Sequence, residues 1–356
     1  MLNHGVVGKC SCSLVQWLRC VCLATCSTAL CSVVVFFVLT LLSTLRLPTN
    51  PSISIGVGSV ALVTGGTGGI GQEVAVGLAE NGLDVVITCR EGDEPHCKNE
   101  TARLWAQRPQ TSGRQFFIEL VDLSETSSTC NLVERVKARY GSALKVLVLA
   151  ASVNTLTLQR SDDGMELQYA VNVRSFFQIM VGLAPLLSAN GPSSVIGMSS
   201  ALHEVPNLND WQFKTVPYDH KLAYRFSKSA QLAIIFEAAE TLSDGGKVFF
   251  NAVHPGTVDS GIVPSWRIKQ LAGCCISGRT AAQRSIDLAL HAPAAGLQGT
   301  WWVYLPFAWN SAWLSVRLPR PSDEADAETR RRIWSYVQAA LAGSHARACS
   351  SSKYVR

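Results

Sequence analysis

From residue 59 onward, short apolar runs alternate with longer stretches whose apolar residues recur at helical spacing. Ser59–Thr64 is a brief apolar run ending in glycines, and Ile70–Glu80 predicts a helix closed by Asn81-Gly82. Asp84–Cys89 reads Asp-Val-Val-Ile-Thr-Cys, a β-branched strand. Gln115–Val121 predicts a third strand, Glu125–Tyr140 a helix, Lys145–Leu149 a fourth strand and Glu166–Ser188 a long helix. Ser194–Met198, Leu222–Thr241 and Lys247–Val253 follow as strand, helix and strand, and Trp301–Leu305 predicts a seventh strand. Apolar runs this short, separated by helices, imply strands buried on both faces of a parallel sheet. The fold class is therefore α/β, a doubly wound parallel sheet whose ligand sits at the carboxyl ends of the strands.

No linker interrupts residues 52–310, which read as one domain. Residues 311–356 read as a helical tail: Pro321-Ser322-Asp323-Glu324 is a helix-start signature, and Ile333, Trp334, Val337 and Leu341 form a packing face.

Residues 1–50 differ in kind. The first acidic residue is Glu73, and Val21–Leu45 carries no charge. Such a segment spans the ~30 Å hydrocarbon core as a helix. A cleaved signal peptide is the alternative, but its apolar region is shorter, about 7–15 residues, and no small-x-small site lies near Leu45. The expectation is a retained single-pass membrane anchor contacting lipid over residues 21–45. Lys9 and Arg19 precede the segment and Arg46 follows it, a bias that would place the remainder in a lumen, with the endoplasmic reticulum the expected membrane. The bias is two charges and leaves the side of the domain open. One sequon, Asn99-Glu100-Thr101, would accept a glycan there. Six of the 12 cysteines (Cys10, Cys12, Cys20, Cys22, Cys26, Cys31) cluster in or beside the anchor, as palmitoylation candidates or as small apolar residues. The other six are dispersed and do not suggest a disulfide framework. No metal site is expected.

Composition narrows the function. Apolar residues make up 47% and charged residues 16%, which excludes disorder for most of the chain. A mean hydropathy of +0.18 fits the anchor. The net charge of +5 is too small and scattered for nucleic-acid binding.

The first strand runs into Thr64-Gly65-Gly66-Thr67-Gly68-Gly69-Ile70-Gly71, with a helix after it. Glycines permit the tight turn and let backbone approach a pyrophosphate resting on the helix N-terminus. Arg90 ends the second strand, where a cation favours a ribose 2′-phosphate; this points to NADP(H), while Glu91 keeps NAD(H) as the less favoured option. Asp122, just past strand three, would accept a hydrogen bond from an adenine amino group.

Tyr224 and Lys228 stand four residues apart, on one face of the helix after strand five. A nearby ammonium stabilises phenolate, so the pattern predicts a Tyr pKa below its usual ~10 and a hydroxyl able to exchange a proton. Ser200 ends strand five and faces the same cleft. Asn172 lies within an apolar helix segment, where its amide needs a partner: a water relaying protons to Lys228, or a structural bond.

These motifs, with His254-Pro255-Gly256, occur in the order of the short-chain dehydrogenase/reductase family, and the chain resembles that family over roughly residues 57–340. Asp163-Gly164-Met165-Glu166, Ser199-Ser200-Ala201-Leu202-His203, Asn251–Gly256 and the tail around Ala327–Tyr336 resemble its retinol-dehydrogenase-like branch. The resemblance implies a Rossmann-type fold and hydride transfer between NADP(H) and a hydrophobic carbonyl or alcohol, such as a retinoid, sterol or other lipid. It assigns catalysis to Asn172, Ser200, Tyr224 and Lys228. It assigns cofactor contact to Gly65, Thr67, Gly69, Ile70, Gly71, Arg90, Asp122, Leu123 and Ala150 on one side, and to Tyr224, Lys228, Pro255, Gly256 and Val258 on the other. It also implies pairing into a homodimer as an option. An apolar stretch, Ile262–Leu271, would serve as a substrate lid.

One position departs from the family. Leu149-Ala150-Ala151-Ser152 stands where Asn-Asn-Ala-Gly is usual, which raises the alternative of a cofactor-binding scaffold or sensor with little turnover. A nucleotide-sugar epimerase also uses Tyr-x-x-x-Lys, but this chain lacks the large C-terminal substrate domain of such enzymes.

Overall fold

The computed structural model describes residues 55–106, 115–258, 276–307, 312–321 and 326–343. The predicted anchor, its cysteines, the Ile262–Leu271 lid and residues 322–324 of the helix-start signature lie outside that set.

Eight strands form one sheet: β1 (Val60–Thr64), β2 (Asp84–Cys89), β3 (Phe116–Leu120), β4 (Leu144–Leu149), β5 (Ser193–Met198), β6 (Val248–His254), β7 (Thr300–Phe307) and β8 (Ala312–Leu318). Their order is β3-β2-β1-β4-β5-β6-β7-β8. The first seven are parallel, as predicted, and β8 is antiparallel to β7. The chain leaves β1 outward to β2 and later returns to β4 on its other side. The order reverses there, and a crevice opens at the carboxyl ends of β1 and β4.

Seven helices cover the sheet: α1 (Gly69–Glu80), α2 (Glu94–Ala106), α3 (Thr126–Tyr140), α4 (Ser175–Asn190), α5 (His220–Thr241), α6 (Gly278–His291) and α7 (Ala327–Gly343), counted among the described residues. One apolar layer joins Leu62 and Leu147 to α3, α4, α5 and α7; the other joins Val63 and Val148 to α1 and α6. Alternate strand residues thus face opposite layers, which is why the strands read as unbroken apolar runs.

The structure departs from expectation in several places. Helices α2 and α6 were not predicted, and the tail opens with β8 before its helix, so the sheet extends to Leu318, beyond residue 310. The single helix expected over Glu166–Ser188 is a π-helical turn, Tyr169–Arg174, running into α4. Tyr169–Asn190 is long and apolar enough to cross a membrane, yet it is a core helix, 89% of that apolar stretch being buried inside the fold. The dispersed cysteines are not all unpaired: Cys89 and Cys97 form a disulfide with Cα atoms 6.2 Å apart, because α2 folds back against the end of β2. Ile333, Val337 and Leu341 are buried as predicted, and Trp334 packs edge-on to Phe177 at 4.7 Å.

Candidate active site

The loop from β1 to α1 is shaped by what cannot be there. Gly65 lies at φ +68°, and a Cβ on it would stand 2.8 Å from the Ala151 Cα. A Cβ on Gly71 would stand 2.4 Å from the Gly65 carbonyl oxygen. Two threonine hydroxyls brace this turn. The Gly65 N–H donates to Thr88 Oγ1 at 3.1 Å, and the Ala150 and Ala151 N–H groups donate to Thr64 Oγ1 at 3.1 and 3.2 Å. The second pair ties β4 to β1 through backbone donors, and the small Ala150, Ala151 and Ser152 side chains line the cleft. Helix α1 has no side-chain cap, so its first N–H groups are available to an anion.

Asp219 starts α5, accepting from the Lys221 and Leu222 N–H groups at 2.8 and 3.2 Å. Tyr224 and Lys228 follow one turn apart. Lys228 Nζ lies 5.4 Å from the centre of the Tyr224 ring. The Ser200 hydroxyl hydrogen-bonds Tyr224 and accepts from the Leu202 N–H at 3.0 Å. Ser199 donates to the Lys228 carbonyl at 2.7 Å, clamping the end of β5 to the helix.

The electrostatics reverse one expectation. Burial pushes Tyr224 up to about 12, and the Ser200 hydrogen bond offsets only part of that rise. Burial also pushes Lys228 down to about 7. His254, at the end of β6, is pushed down to about 4 by burial and by Lys228 and His203.

Asn172 is buried with its amide fully engaged. Its Nδ2 donates to the Val153 carbonyl at 2.9 Å and to Ser227 Oγ at 3.1 Å, while Oδ1 accepts from the Val153 N–H at 2.8 Å. It thus anchors the segment following β4. Its main-chain carbonyl accepts from Gln231 Nε2 at 2.8 Å, and Gln231 Oε1 accepts from Lys228 Nζ at 3.0 Å. The structural bond, one of the two roles open to the Asn172 amide, is the one made here.

These groups border a cleft of about 710 Å³. Gly65, Gly69, Ile70, Gly71 and Ala150 line one end; Pro255, Gly256 and Val258 lie across from them, with Ser200, Tyr224 and Lys228 between. Of the expected residues, Thr67, Arg90, Asp122, Leu123 and Asn172 are not on its wall. Arg90 and Asp122 stand together beyond it, at the ends of β2 and β3, 4.0 Å apart, with Arg90 73% exposed. Asp122 Oδ1 accepts from the Ser124 N–H at 2.8 Å, and Leu123 packs against the core. Glu91 accepts from Ser128 at 3.1 Å, toward α3.

Sequence reasoning missed Thr88, Asn154 and Gln231, and read Ser152 only as part of the departure after strand four. Buried Ser152 Oγ, Asn154 Oδ1 and His254 Nδ1 have no hydrogen-bond partner, although Ser152, Asn154 and His254 all line the cleft. Orphaned polar atoms beside a glycine cradle and an uncapped helix N-terminus fit a phosphate- and ribose-bearing ligand such as a dinucleotide. The signal for the two strand-adjacent residues was their place, just past the end of β4.

A doubly wound sheet with a glycine turn after β1, Ser200 just past β5, and Tyr224 and Lys228 on α5 defines a nucleotide-dependent oxidoreductase fold. The short chain dehydrogenase model matches residues 59–271, and the chain belongs to that family, on its retinol-dehydrogenase-like branch. Retinol dehydrogenase 13 of Mus musculus is 28% identical over 300 residues, spanning 80% of this chain and 84% of that protein. Retinol dehydrogenase 11 of Homo sapiens is 30% identical over 290 residues, spanning 78% and 84%. Among solved structures, a 3-oxoacyl (acyl-carrier-protein) reductase from Agrobacterium tumefaciens C58 with NADP bound shares the fold, with TM-score 0.57 and 22% identity over 73% of this chain and 98% of that one.

Proposed function

We propose that this protein is a membrane-anchored, NADP(H)-dependent oxidoreductase acting on a hydrophobic carbonyl or alcohol. The convergence of the Ser200 and Tyr224 hydroxyls with buried Lys228, in a cleft opening from the glycine turn, is the observation that carries this reading.

NADP(H), when bound, supplies or accepts the hydride. The α1 N-terminus and the backbone of Gly65–Gly71 would hold its pyrophosphate. Arg90 would meet the 2′-phosphate, and this choice over NAD(H) is supported by Glu91 turning toward Ser128 and leaving Arg90 exposed. Ser200 would donate to the substrate oxygen, and Tyr224 would deliver its proton to that oxygen during reduction or take it during oxidation. Lys228 would hold the nicotinamide ribose. Leu156 and Leu202, 62% and 61% exposed, line the mouth of the cleft and favour an apolar substrate. Residues 21–45 would hold the domain at the membrane where such a substrate dissolves. The retinol dehydrogenases among its relatives agree in substrate class.

The test follows loss of reduced cofactor with apolar aldehydes and ketones, retinal included, using NADPH and NADH in parallel. Turnover should favour NADPH, and Tyr224→Phe should lower kcat by about 100-fold or more without unfolding the protein. Tight NADPH binding with no turnover on any substrate, or turnover indifferent to Tyr224, would contradict the reading.

A further inference from the structure

The groups around Lys228 leave it without an acidic neighbour among its hydrogen-bond partners. Nζ donates to the Met198 carbonyl at 3.3 Å and to Gln231 Oε1 at 3.0 Å, both neutral acceptors. From the same helix the Tyr224 ring faces it, and from the end of β6 His254 does, with His203 coupled to His254. Gln231 is itself buried, 1% exposed, and its amide nitrogen reaches the Asn172 main-chain carbonyl at 2.8 Å.

We propose that Gln231 is a positioning residue for Lys228: its carboxamide forms a direct protein bridge from the Lys228 amine to the Asn172 carbonyl. The polarity suits the task. A carboxamide presents an acceptor to the ammonium and a donor to the carbonyl, so both ends of the bridge are satisfied in one orientation. A water in that position can rotate and exchange protons, whereas a carboxamide keeps its N–H protons. The bridge therefore holds Lys228 in one rotamer beside Tyr224. The π-helical turn carrying Asn172 and the helix carrying Lys228 are thereby joined through Gln231 as well as through the Asn172–Ser227 bond.

This proposal rests on the oxidoreductase reading only for its importance to turnover, and the test reads Lys228 itself. Full-length protein labelled with ¹³Cε-lysine is titrated by NMR with and without NADPH, the Lys228 signal being the one lost in Lys228→Arg. Gln231→Leu removes the acceptor and should move the Lys228 midpoint down. Gln231→Glu puts a carboxylate on the amine and should move it up, by about one pH unit, or tenfold in the ionisation constant. Gln231→Ala leaves room for water and should fall between wild type and the leucine variant. On a substrate that turns over, Gln231→Leu should lower kcat more than it raises KM, with Gln231→Ala partly rescued. Midpoints unchanged across the variants would overturn the proposal, and the glutamate variant, nearly isosteric, keeps the test open if the leucine variant does not fold. Wild-type protein that fails to turn over any substrate would count against the function proposed above, while the order of the midpoints would still decide the role of Gln231.

Discussion

Thr64 and Thr88 touch no reacting group, yet their hydroxyls set the width of the crevice by holding the backbone of Ala150, Ala151 and Gly65. A threonine inside a β-branched run reads only as a strand former, so the Thr88 bond was invisible in the sequence. The glycines were legible, because their type and spacing are the geometry. Gln231 was not, since a glutamine in a helix is most often a solvated residue, and only the coverage of α5 on several sides buries it. The ionisation of the site was legible in its players and not in its balance: the Ser200 hydrogen bond favours phenolate, but burial outweighs it at Tyr224, and burial lowers Lys228. His254 yields a prediction at this scale. Its folded value of about 4 lies below the ordinary 6.5, so between those values the unfolded chain binds a proton that the folded one refuses. Stability of the cofactor-free protein should therefore fall as pH drops from 6.5 toward 4, and His254→Gln should flatten that part of a melting-temperature profile. An unchanged slope would count against a neutral, buried imidazole.

At the scale of elements, strands and long helices were legible because burial on both sheet faces writes unbroken apolar runs. The missed helices lack that mark. Helix α2, Glu-Pro-His-Cys-Lys-Asn-Glu-Thr at its start, is polar around much of its circumference, so no periodicity announces it. Strand β8 was taken into the helical tail because Trp313–Val316 is too short a run to outweigh the helix signature that follows it. The π-helical turn looks like any helix in sequence, since its residues are as apolar as those of α4. The C-terminal helix does more than cover the core. Buried Arg330 on α7 pairs with Glu237 at 3.2 Å and with Glu240 at 2.5 Å, both on α5, the helix of Tyr224 and Lys228. Arg330→Ala leaves Glu237 without that partner and should cost about 3 kcal/mol in chemical denaturation. The remaining folded enzyme should keep its KM for NADPH, since Arg330 is remote from the cleft. A loss below about 0.5 kcal/mol, the range of an exposed pair, would show that α7 is not docked through this network.

On the scale of the whole molecule, two features sit together on α2. Cys97 is joined to Cys89, and Asn99 of the sequon is exposed two residues further on. A disulfide and a glycan would both belong to an oxidising lumen, the side that the charges flanking the proposed anchor favour. Full-length protein made in cells should therefore lose mass with an endoglycosidase, and Asn99→Gln should abolish that change. Unglycosylated protein with reduced Cys89 and Cys97 would place the domain on the cytosolic side instead.

One measurement reads hydride transfer inside the cleft without inference from rates. The full-length enzyme is given NADPH carrying deuterium at one face of nicotinamide C4, together with retinal or whichever carbonyl on the panel is consumed, and the alcohol is weighed. One deuterium should appear in the alcohol from one labelled face and none from the other, and Tyr224→Phe should yield almost no alcohol from either. Alcohol free of deuterium from both faces, or NADPH bound and returned unchanged beside every substrate, would contradict it.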